Sequence, residues 1–497
     1  MKIIALLLAI MSIGVVRAAD SSELDWRLPK GATREGDILS VRLDQNGSAM
    51  AYAPLDLSPY FGKMLKVTVK CRAEDMKPGP QHWLGFKFMM SFTDSVTGTK
   101  SWPGANCESG SWDWKMVEIL TDLRRIRPEK AGLSLGIQDS RGFVQFDLST
   151  LKFETIKPLF EYDTTSEKCV YTDRVKTRQI RRGVMLPSGP CKEDDFRTLR
   201  EWGATLARYQ MVRGWGSHND NQDLAEYARW VDSKIDHLLN DVLPWAEKYG
   251  IEIVVDLHVA PGGRREDGDM NMFYDEKFAD AFLDTWRNIA KRCVGKKCIW
   301  GYDLINEPCQ KRKGAENCDY WTLQKRAAEL VRTIDPVTPI IIESRGWDSP
   351  TEFDIMHPLA LPDIIYQAHM YIPHEFTHQG VHGKLQPFAY PNAEKGWDRE
   401  FLRRNLQPVL DFQRRHDAKI YIGEFSAIAW AQGPGEYLKD CISLFEEYGW
   451  DWTYHAFREW NGWSVEHEAK EPNKFAPSSD NPRKRALLDG FRNSPVR

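Results

Sequence analysis

The 497-residue sequence lacks the features that mark several protein classes. It has no excess of positive charge, because 67 Lys and Arg stand against 71 Asp and Glu and give a formal net charge of −4. Such a chain offers no basic field to a phosphate backbone, so no nucleic-acid partner is expected. Internal repeats and low-complexity tracts are also absent from the sequence. With 42% hydrophobic and 28% charged residues, the composition is typical of a folded, water-soluble protein.

Apolar runs of membrane-spanning length are missing after the first 20 residues. The N-terminus, MKIIALLLAIMSIGVVRAAD, places Lys2 before an apolar run from Ile3 to Val16 and then small residues. A helix needs about 20 apolar residues to span a bilayer, so this run fits a secretory signal at residues 1–18 better than an anchor. The sequence predicts cleavage after Ala18, no membrane contact afterwards, and an extracellular or periplasmic location. A retained anchor is the alternative.

Paired CxxC motifs, which structural zinc sites use, are missing as well. The nine cysteines become candidates for disulfides if the chain is exported, and an odd number leaves at least one unpaired. Cys293 and Cys298 flank the turn-like VGKK, while Cys309 and Cys318 bracket the loop QKRKGAEN. These are the two pairs that we expect.

Helical periodicity is absent from residues 20–158. Short runs of β-forming residues, such as MLKVTVKCRAE and GFVQFDLSTLKFE, alternate there with turn clusters. This pattern predicts an all-β sandwich. Four tryptophans fall in the region and could form either a sugar-stacking face or core anchors: Trp83, Trp102, Trp112 and Trp114.

After a polar linker at residues 159–178, short apolar runs alternate with long amphipathic segments. The apolar runs are RRGVML, TLARYQMV, IEIVVDLHV, IWGYDLINEP, PIIIESR, DIIYQAHMYI, KIYIGEFSA and DWTYHAF. Strands that alternate with helices form right-handed parallel βαβ units. Eight such units in about 320 residues predict an α/β fold, a closed (β/α)8 TIM barrel at residues 179–497.

Polar residues interrupt these apolar strands at their carboxyl ends, where the loops of such a barrel build an active site. They are Arg208, Asp256, His258, Asn306, Glu307, His369, Tyr371 and Glu424. Because a buried unpaired charge is costly, these residues either satisfy one another or serve a ligand. Glu307 and Glu424, from strands four and seven, are expected to face each other across the barrel mouth.

Two facing carboxylates fit the hydrolysis of a glycosidic bond, in which one donates a proton and the other acts as nucleophile or base. Arg208 and the neighbouring His and Tyr side chains would keep the nucleophile charged and oriented. Asn306 would bond the sugar 2-hydroxyl. The structural alternatives are a helix-start acid for Glu307 and an ion pair with Arg208 for Glu424.

Other residues near the strand ends allow more than one interpretation. Asp256 and His258 fit a packed hydrogen-bonding pair, and Asp256 is expected to be structural. Glu343 on strand five is equally ambiguous and receives no role. Three tryptophans near the loops after strands five, seven and eight fit sugar platforms or plain packing: Trp347, Trp430 and Trp463.

The segment from His374 to His378 reads HEFTH and matches the H-E-x-x-H pattern of zinc proteases. That chemistry requires both histidines on one face of a sustained helix. Pro373 precedes the motif, Gly380 and Gly383 follow it, and no helical period carries it. We interpret the segment as a substrate-cleft loop and expect neither a metal nor another cofactor.

The ordered combination of motifs resembles glycoside hydrolase family 5, the cellulase family. The matching motifs are LARYQ at 206–210, DLHVAPGG at 256–263, LINEP at 304–308, HMYIPHEFTHQG at 369–380 and IGEFS at 422–426. The resemblance spans residues 182 to about 463 and implies a retaining (β/α)8 barrel with Glu307 as acid/base and Glu424 as nucleophile. The surrounding residues that it implies are Arg208, His258, Asn306, His369 and Tyr371. It also implies a tryptophan near the end of strand eight as the floor of the −1 sugar site, for which we choose Trp460.

The function expected from these features is that of a secreted, monomeric, retaining endo-β-glycosidase that cleaves a β-linked polysaccharide by double displacement. β-1,4-Glucan is the leading substrate, with β-mannan or another β-glucan as the alternative. A non-catalytic carbohydrate-binding protein is the alternative from a different class. The region at 20–158 resembles, in its strand pattern, the jelly-roll carbohydrate-binding modules of secreted glycosidases.

Overall fold

The computed structural model describes residues 24–492 apart from positions 82, 97, 99, 106–108, 125, 163–166, 178, 215–220 and 382–384. The expected signal segment at residues 1–18 lies outside the described residues. Within the described part of the chain, no helix has the length and apolarity that crossing a bilayer requires. The chain divides into two compact units, Met1–Pro158 and Leu159–Arg497.

The first unit is an antiparallel β-sheet domain, as the strand pattern predicts. Its strands are β1 (Ala32–Glu35), β2 (Ile38–Pro54), β3 (Met64–Met76), β4 (Gly85–Asp94), β5 (Lys100–Ser101), β6 (Gly110–Asp122) and β7 (Pro128–Ile156). The long strand β7 pairs with β2, β3 and β4. Alternate residues of these strands close on one apolar core, because neighbouring side chains of a strand point to opposite faces. Trp112 packs against that core, whereas Trp83 and Trp102 are about half exposed.

The second unit is a closed barrel of eight parallel strands, so the predicted TIM barrel is confirmed. Its strands are β8 (Arg182–Met185), β9 (Leu206–Gln210), β10 (Glu252–Asp256), β11 (Ile299–Asp303), β12 (Ile340–Glu343), β13 (Ile364–Met370), β14 (Lys419–Phe425) and β15 (Asp451–Tyr454). Pairing of β15 with β8 closes the barrel. A short hairpin, β16 (His467–Ala469) and β17 (Phe475–Pro477), follows.

Helices connect the barrel strands and bury their apolar faces against them. They are α1 (Glu193–Trp202), α2 (Leu224–His237), α3 (Leu243–Tyr249), α4 (Glu276–Cys293), α5 (Tyr320–Ile334), α6 (Arg345–Asp348), α7 (His374–Thr377), α8 (Arg399–His416), α9 (Pro434–Tyr448) and α10 (Pro482–Arg492). Asp223, Asp319 and Asp398 cap α2, α5 and α8, since each carboxylate accepts a backbone N–H of the first turn. The connection after β12 has only the four-residue α6 and a 3-10 turn.

Inward-facing side chains fill the barrel in layers. The lower layer is apolar and contains Leu206, Val254, Trp300, Ile341, Ile365 and Tyr421. Two residues further along four of these strands, the inward positions are polar and fully buried: Arg208, Asp256, Glu343 and Gln367. Because residues two apart on a strand share a face, these four side chains belong to the next layer, toward the carboxyl ends of the strands.

The segment at 159–178, expected as a linker, packs on the second unit wherever it is described. Phe160 and Tyr162 join the barrel core. The Tyr171 hydroxyl donates a hydrogen bond to the Ile364 carbonyl at 2.8 Å, and the backbone N–H of Thr172 donates to Asp363 at 2.7 Å. The segment therefore packs against the amino-terminal end of β13.

The expected disulfides Cys293–Cys298 and Cys309–Cys318 are wrong. The described cysteines are all free thiols: Cys71, Cys169, Cys191, Cys293, Cys298, Cys309, Cys318 and Cys441. Cys293 packs into the core from α4, whereas Cys298 Sγ donates a hydrogen bond to the Ile251 carbonyl at 3.2 Å. Closeness in sequence does not link these thiols, because the packing around each side chain sets its direction.

Candidate active site

A cleft of about 1070 Å³ opens above the polar layer of the barrel. Seven of the eight residues predicted for the site line it: His258, Asn306, Glu307, His369, Tyr371, Glu424 and Trp460. The eighth, Arg208, lies fully buried beneath them. Six strands and the loops that follow them thus bring these side chains together at one end of the barrel: β9, β10, β11, β13, β14 and β15.

Arg208 is the positive centre of the site. Its Nη1 lies 2.6 Å from Glu424 Oε1, and its Nη2 lies 2.9 Å from Asp303 and from Glu343 and 3.2 Å from Asp256. Four carboxylates around one guanidinium would repel one another without it, because all five groups are buried. Asp256 therefore has the structural environment expected for it.

Glu424 is held as an ionised carboxylate. Its Oε1 accepts from Arg208, and its Oε2 accepts from the Tyr371 hydroxyl at 2.8 Å. Burial alone raises the pKa of Glu424, but the charges of His369, His455 and Arg208 outweigh that effect and hold the pKa well below its ordinary range. A buried anion at the cleft surface is suited to attack an electrophilic carbon.

Glu307 stands in a different environment. Its side chain is 22% exposed, against 6% for Glu424, and its Oε1 lies 2.9 Å from His369 Nδ1. The backbone of Glu307 has φ of +50°, a conformation uncommon outside glycine. Its N–H donates to Glu343 Oε2 at 2.5 Å, and Arg264 Nη2 donates to its carbonyl at 2.9 Å. These two contacts hold the residue in that conformation.

The two carboxylates face each other closely. One oxygen of Glu307, one oxygen of Glu424 and a ring nitrogen of His369 all lie within 4.8 Å of one another. Glycosidases that retain configuration have carboxyl groups about 5–5.5 Å apart, whereas inverting enzymes need about 6.5–9.5 Å to admit a water molecule. The separation fits direct attack by one carboxylate.

His258 and Asn306 belong to a chain of hydrogen bonds beside Glu307. Asp256 Oδ2 lies 2.8 Å from His258 Nδ1, so this nitrogen is the donor and Nε2 is left as acceptor. The amide nitrogen of Asn306 lies 3.3 Å from that Nε2, and its Oδ1 accepts from Arg208 Nη2 at 3.0 Å. The orientation of the Asn306 amide is therefore fixed from both ends.

Residues 171–461 match the family described as "Cellulase (glycosyl hydrolase family 5)". The chain belongs to glycoside hydrolase family 5. A family 5 enzyme hydrolyses glycosidic bonds, so its substrate is a carbohydrate. The match lies within the second unit and leaves residues 1–158 outside it.

Individual relatives of this family 5 enzyme are distant. Endoglucanase C of Acetivibrio thermocellus is 28% identical over 295 residues, which cover 53% of this chain and 83% of that protein. Cellodextrinase A of Ruminococcus flavefaciens is 21% identical over 283 residues, or 54% of this chain and 79% of that protein. A crystal structure described as a glycoside hydrolase superposes with a TM-score of 0.50 at 22% identity, covering 64% of this chain and all of that one. At that identity the likeness shows the fold alone.

Aromatic rings surround the cleft of the family 5 enzyme. Trp347, Trp460 and Trp463 line it. Trp463 contacts Tyr371 and His455 at centroid distances of 6.5 and 5.6 Å. Trp460 instead packs edge-on against Trp463 and Trp430. Trp463 is thus the ring in contact with Tyr371 and His455, while Trp460, chosen as the sugar floor, also lines the cleft.

The HEFTH segment lies on the cleft as a loop with a single helical turn. The helix α7 ends at Thr377, so His378 lies outside it. The rings of His374 and His378 stack at 4.1 Å, and both residues line the cleft. A metal-binding H-E-x-x-H motif needs a sustained helix, which this segment does not form.

Asp303, His455, Glu459 and Arg264 also belong to the site, and the sequence interpretation missed them. Asp303 ends β11 and His455 directly follows β15, so the strand-end rule that selected Asp256 would have found both. Glu459 lies in a loop, four residues after His455, and has no such signal. Arg264 lies in the loop after β10, where its position gives no clue that it binds backbone carbonyls.

Proposed function

We propose that the protein is a secreted, retaining endo-β-glycosidase that cleaves a β-linked polysaccharide, with β-1,4-glucan as the leading substrate. The observation that carries this proposal is the pair Glu307 and Glu424, whose oxygens lie within 4.8 Å in unlike environments. Glu424 is anionic and buried, and Glu307 is partly exposed beside His369. Such a division gives one nucleophile and one proton donor.

In the first step, Glu424 attacks the anomeric carbon while Glu307 gives its proton to the glycosidic oxygen. The bond from that carbon to the leaving oxygen breaks, and the departing chain leaves as an alcohol. The sugar stays on Glu424 as an ester. Tyr371 and Arg208, which hold the two oxygens of Glu424, orient the carboxylate for this attack.

In the second step, Glu307 acts as a base and takes a proton from water, which attacks the anomeric carbon. The ester bond to Glu424 breaks and the sugar leaves with its original configuration. Asn306, held by Arg208 and His258, would bond the 2-hydroxyl of the sugar in both steps. Trp463 or Trp460 would supply the ring under the sugar.

Support for a glucan substrate comes from the relatives, an endoglucanase and a cellodextrinase. A panel of carboxymethylcellulose, mixed-linkage β-glucan, glucomannan and β-mannan tests the choice through release of reducing ends. Glucan hydrolysis with an early fall in viscosity supports the proposal, and hydrolysis of mannan alone contradicts the substrate. No hydrolysis of any substrate would leave carbohydrate binding as the function.

Matched variants test the roles of the two carboxylates. Glu307→Gln and Glu424→Gln change each carboxylate to an amide of the same shape, and each should lower kcat by at least about 10³-fold while the protein keeps its melting temperature. NMR of the first product formed should show the β-anomer. The α-anomer would contradict retention.

Secretion rests on the N-terminal sequence, and sugar binding by the first unit rests on its half-exposed Trp83 and Trp102. Expression with the native N-terminus should give a released protein that begins at Ala19. A protein that keeps Met1, or that stays inside the cell, contradicts this part of the proposal.

A further inference from the structure

A chain of hydrogen bonds leads from Glu424 through Tyr371 to His455 and Glu459, two residues of the cleft to which the proposed reaction gives no role. Glu424 Oε2 lies 2.8 Å from the Tyr371 hydroxyl, which lies 2.7 Å from His455 Nδ1. His455 Nε2 in turn lies 3.3 Å from Glu459 Oε1. Glu459 Oε2 accepts from the amide of Gln210, so this carboxylate is anchored at its other oxygen.

The positions of the protons in this chain follow from donor counting. Tyr371 has one hydroxyl proton, and an ionised Glu424 can only accept, so the proton points to Glu424. The Tyr371 oxygen must then accept from His455 Nδ1–H. On its other side, His455 faces the Glu459 carboxylate, which also accepts. Both ring nitrogens of His455 therefore carry a proton, and the ring is an imidazolium.

We propose that His455, held as a cation by Glu459, is a positioning residue that fixes Tyr371 as a donor to the nucleophile and stabilises the charge of Glu424. Its Nδ1 lies 3.9 Å from Glu424 Oε2. The groups that face His455 are Tyr371 from the end of β13, Glu424 on β14, Glu307 after β11 and Glu459 in its own loop. All are acidic or neutral, so they favour the charged ring.

The pKa values agree with this geometry. Burial alone lowers the pKa of His455, but Glu424 and Glu459 outweigh it, and the net direction is upward. The same His455 charge is among the causes that lower the pKa of Glu424. The His455 cation thus joins Arg208 and His369 as a third positive group near Glu424, and it approaches Oε2, whereas Arg208 contacts Oε1.

NMR of the imidazole nitrogens tests the protonation state without any substrate. In protein labelled with 15N-histidine, the signal that disappears in His455→Gln should show two protonated nitrogens at pH 7. Glu459→Gln, which keeps a side-chain contact and removes the charge, should lower the pKa of His455 by at least about 1 unit. A neutral His455 in the wild type, or no change in Glu459→Gln, would overturn the proposal.

Kinetics tests the effect on the nucleophile, and this arm rests on the proposed function. The acid limb of kcat/KM reports the free-enzyme pKa of Glu424, so His455→Gln should move that limb upward by about 1 unit. If kcat/KM fell by the same factor at all pH values and the acid limb stayed at the same pH, His455 would have a merely structural role and the proposal would be contradicted. The matched control is His237→Gln. His237 and Asp241 are four residues apart, as His455 and Glu459 are, and His237 Nδ1 lies 3.0 Å from Asp241 Oδ2. Neither residue lines the cleft. An inactive wild type would refute the proposed function, while the NMR result would still decide the charge of His455.

Discussion

Replacing Arg208 with methionine gives the sharpest test of how the site is held together. The guanidinium is fully buried and lies within 3.2 Å of Asp256, Asp303, Glu343 and Glu424. Methionine fills similar space but removes the only positive charge that these four carboxylates share directly. The variant therefore leaves buried negative charge without compensation.

The size of the effect follows from that environment. Removing one partner of a buried ion pair costs about 3–5 kcal/mol of stability, and a change of this size lowers the folding equilibrium constant by about two to three and a half orders of magnitude. With an unfolding entropy of about 2.1 cal/mol/K per residue, the barrel unit should melt about 4–7 °C lower. The pKa of Glu424 should also rise, because Arg208 is one of the charges that lower it.

The loss of stability in Arg208→Met depends on pH. In the wild type the folded-state pKa of Glu424 lies below its unfolded value, so its contribution to stability is present above about pH 4.3 and is lost as the pH falls through the folded pKa. In Arg208→Met that contribution is smaller, because one of the charges that lower the pKa of Glu424 is gone. The difference in the free energy of unfolding between wild type and variant should therefore be fully present above about pH 4.3 and should narrow as the pH falls below that value.

Thermal unfolding at about pH 3 and at pH 7, together with the pH profile of kcat/KM, measures these effects. Arg182→Met is the matched control, because Arg182 pairs with Glu446 at 2.6 Å at the amino end of β8, away from the cleft. It should lose stability but keep the kcat/KM of the folded protein. If Arg208→Met melted within 1 °C of the wild type at pH 7 and kept its pH profile, the reasoning would be refuted.

Three further predictions concern residues around the cleft and in the core. Glu343→Gln replaces with an amide the carboxyl group that accepts the Glu307 backbone N–H and the Arg208 guanidinium, so kcat should fall by up to about 100-fold with little change in KM. Trp347→Ala should raise KM for a polysaccharide by about 2–10-fold and leave kcat on a short aryl glycoside unchanged, because this exposed ring lies on the cleft wall. Cys293 and Cys298 should alkylate only after unfolding, without prior reduction, since burial raises the pKa of each thiol to about 12.

Each of these expectations has a clear counter-result. An unchanged kcat in Glu343→Gln, with a loss only in Glu343→Ala, would show that packing and not the carboxyl group of Glu343 holds Glu307. An unchanged KM for the polysaccharide in Trp347→Ala would show that this ring does not contact the substrate. Mass spectrometry of unreduced protein that shows a linked Cys293–Cys298 peptide would contradict the free thiols.

The barrel and its polar layer were predictable because both follow from local alternation. Leu206 and Arg208 share one face of β9, and Val254 and Asp256 share one face of β10. An apolar position followed two residues later by a charge marks the point where a strand passes from the packed interior into the site. That rule needs no knowledge of the tertiary contacts.

The contacts that tune the site could not be predicted in this way, because they depend on loop geometry. Glu343 contacts the backbone of the catalytic candidate Glu307 because Glu307 turns its N–H toward it at a φ of +50°. Glu459 reaches His455 across a loop, from a position that no periodicity selects. The disulfide expectation failed for the same reason: the direction of a side chain, as for Cys298, is set by packing and not by distance along the chain.

His369 connects the two steps of the proposed reaction. Its Nδ1 lies 2.9 Å from Glu307 and 3.8 Å from Glu424, and although burial lowers its pKa, these neighbours raise it to about 9. Before the reaction the cation mainly faces the charge of Glu424. Once Glu424 has become an ester that charge is gone, and Glu307, having lost its proton, becomes the anion beside the same ring. One imidazolium therefore stabilises the nucleophile first and the base second, so no charge has to be brought into the buried site between the steps.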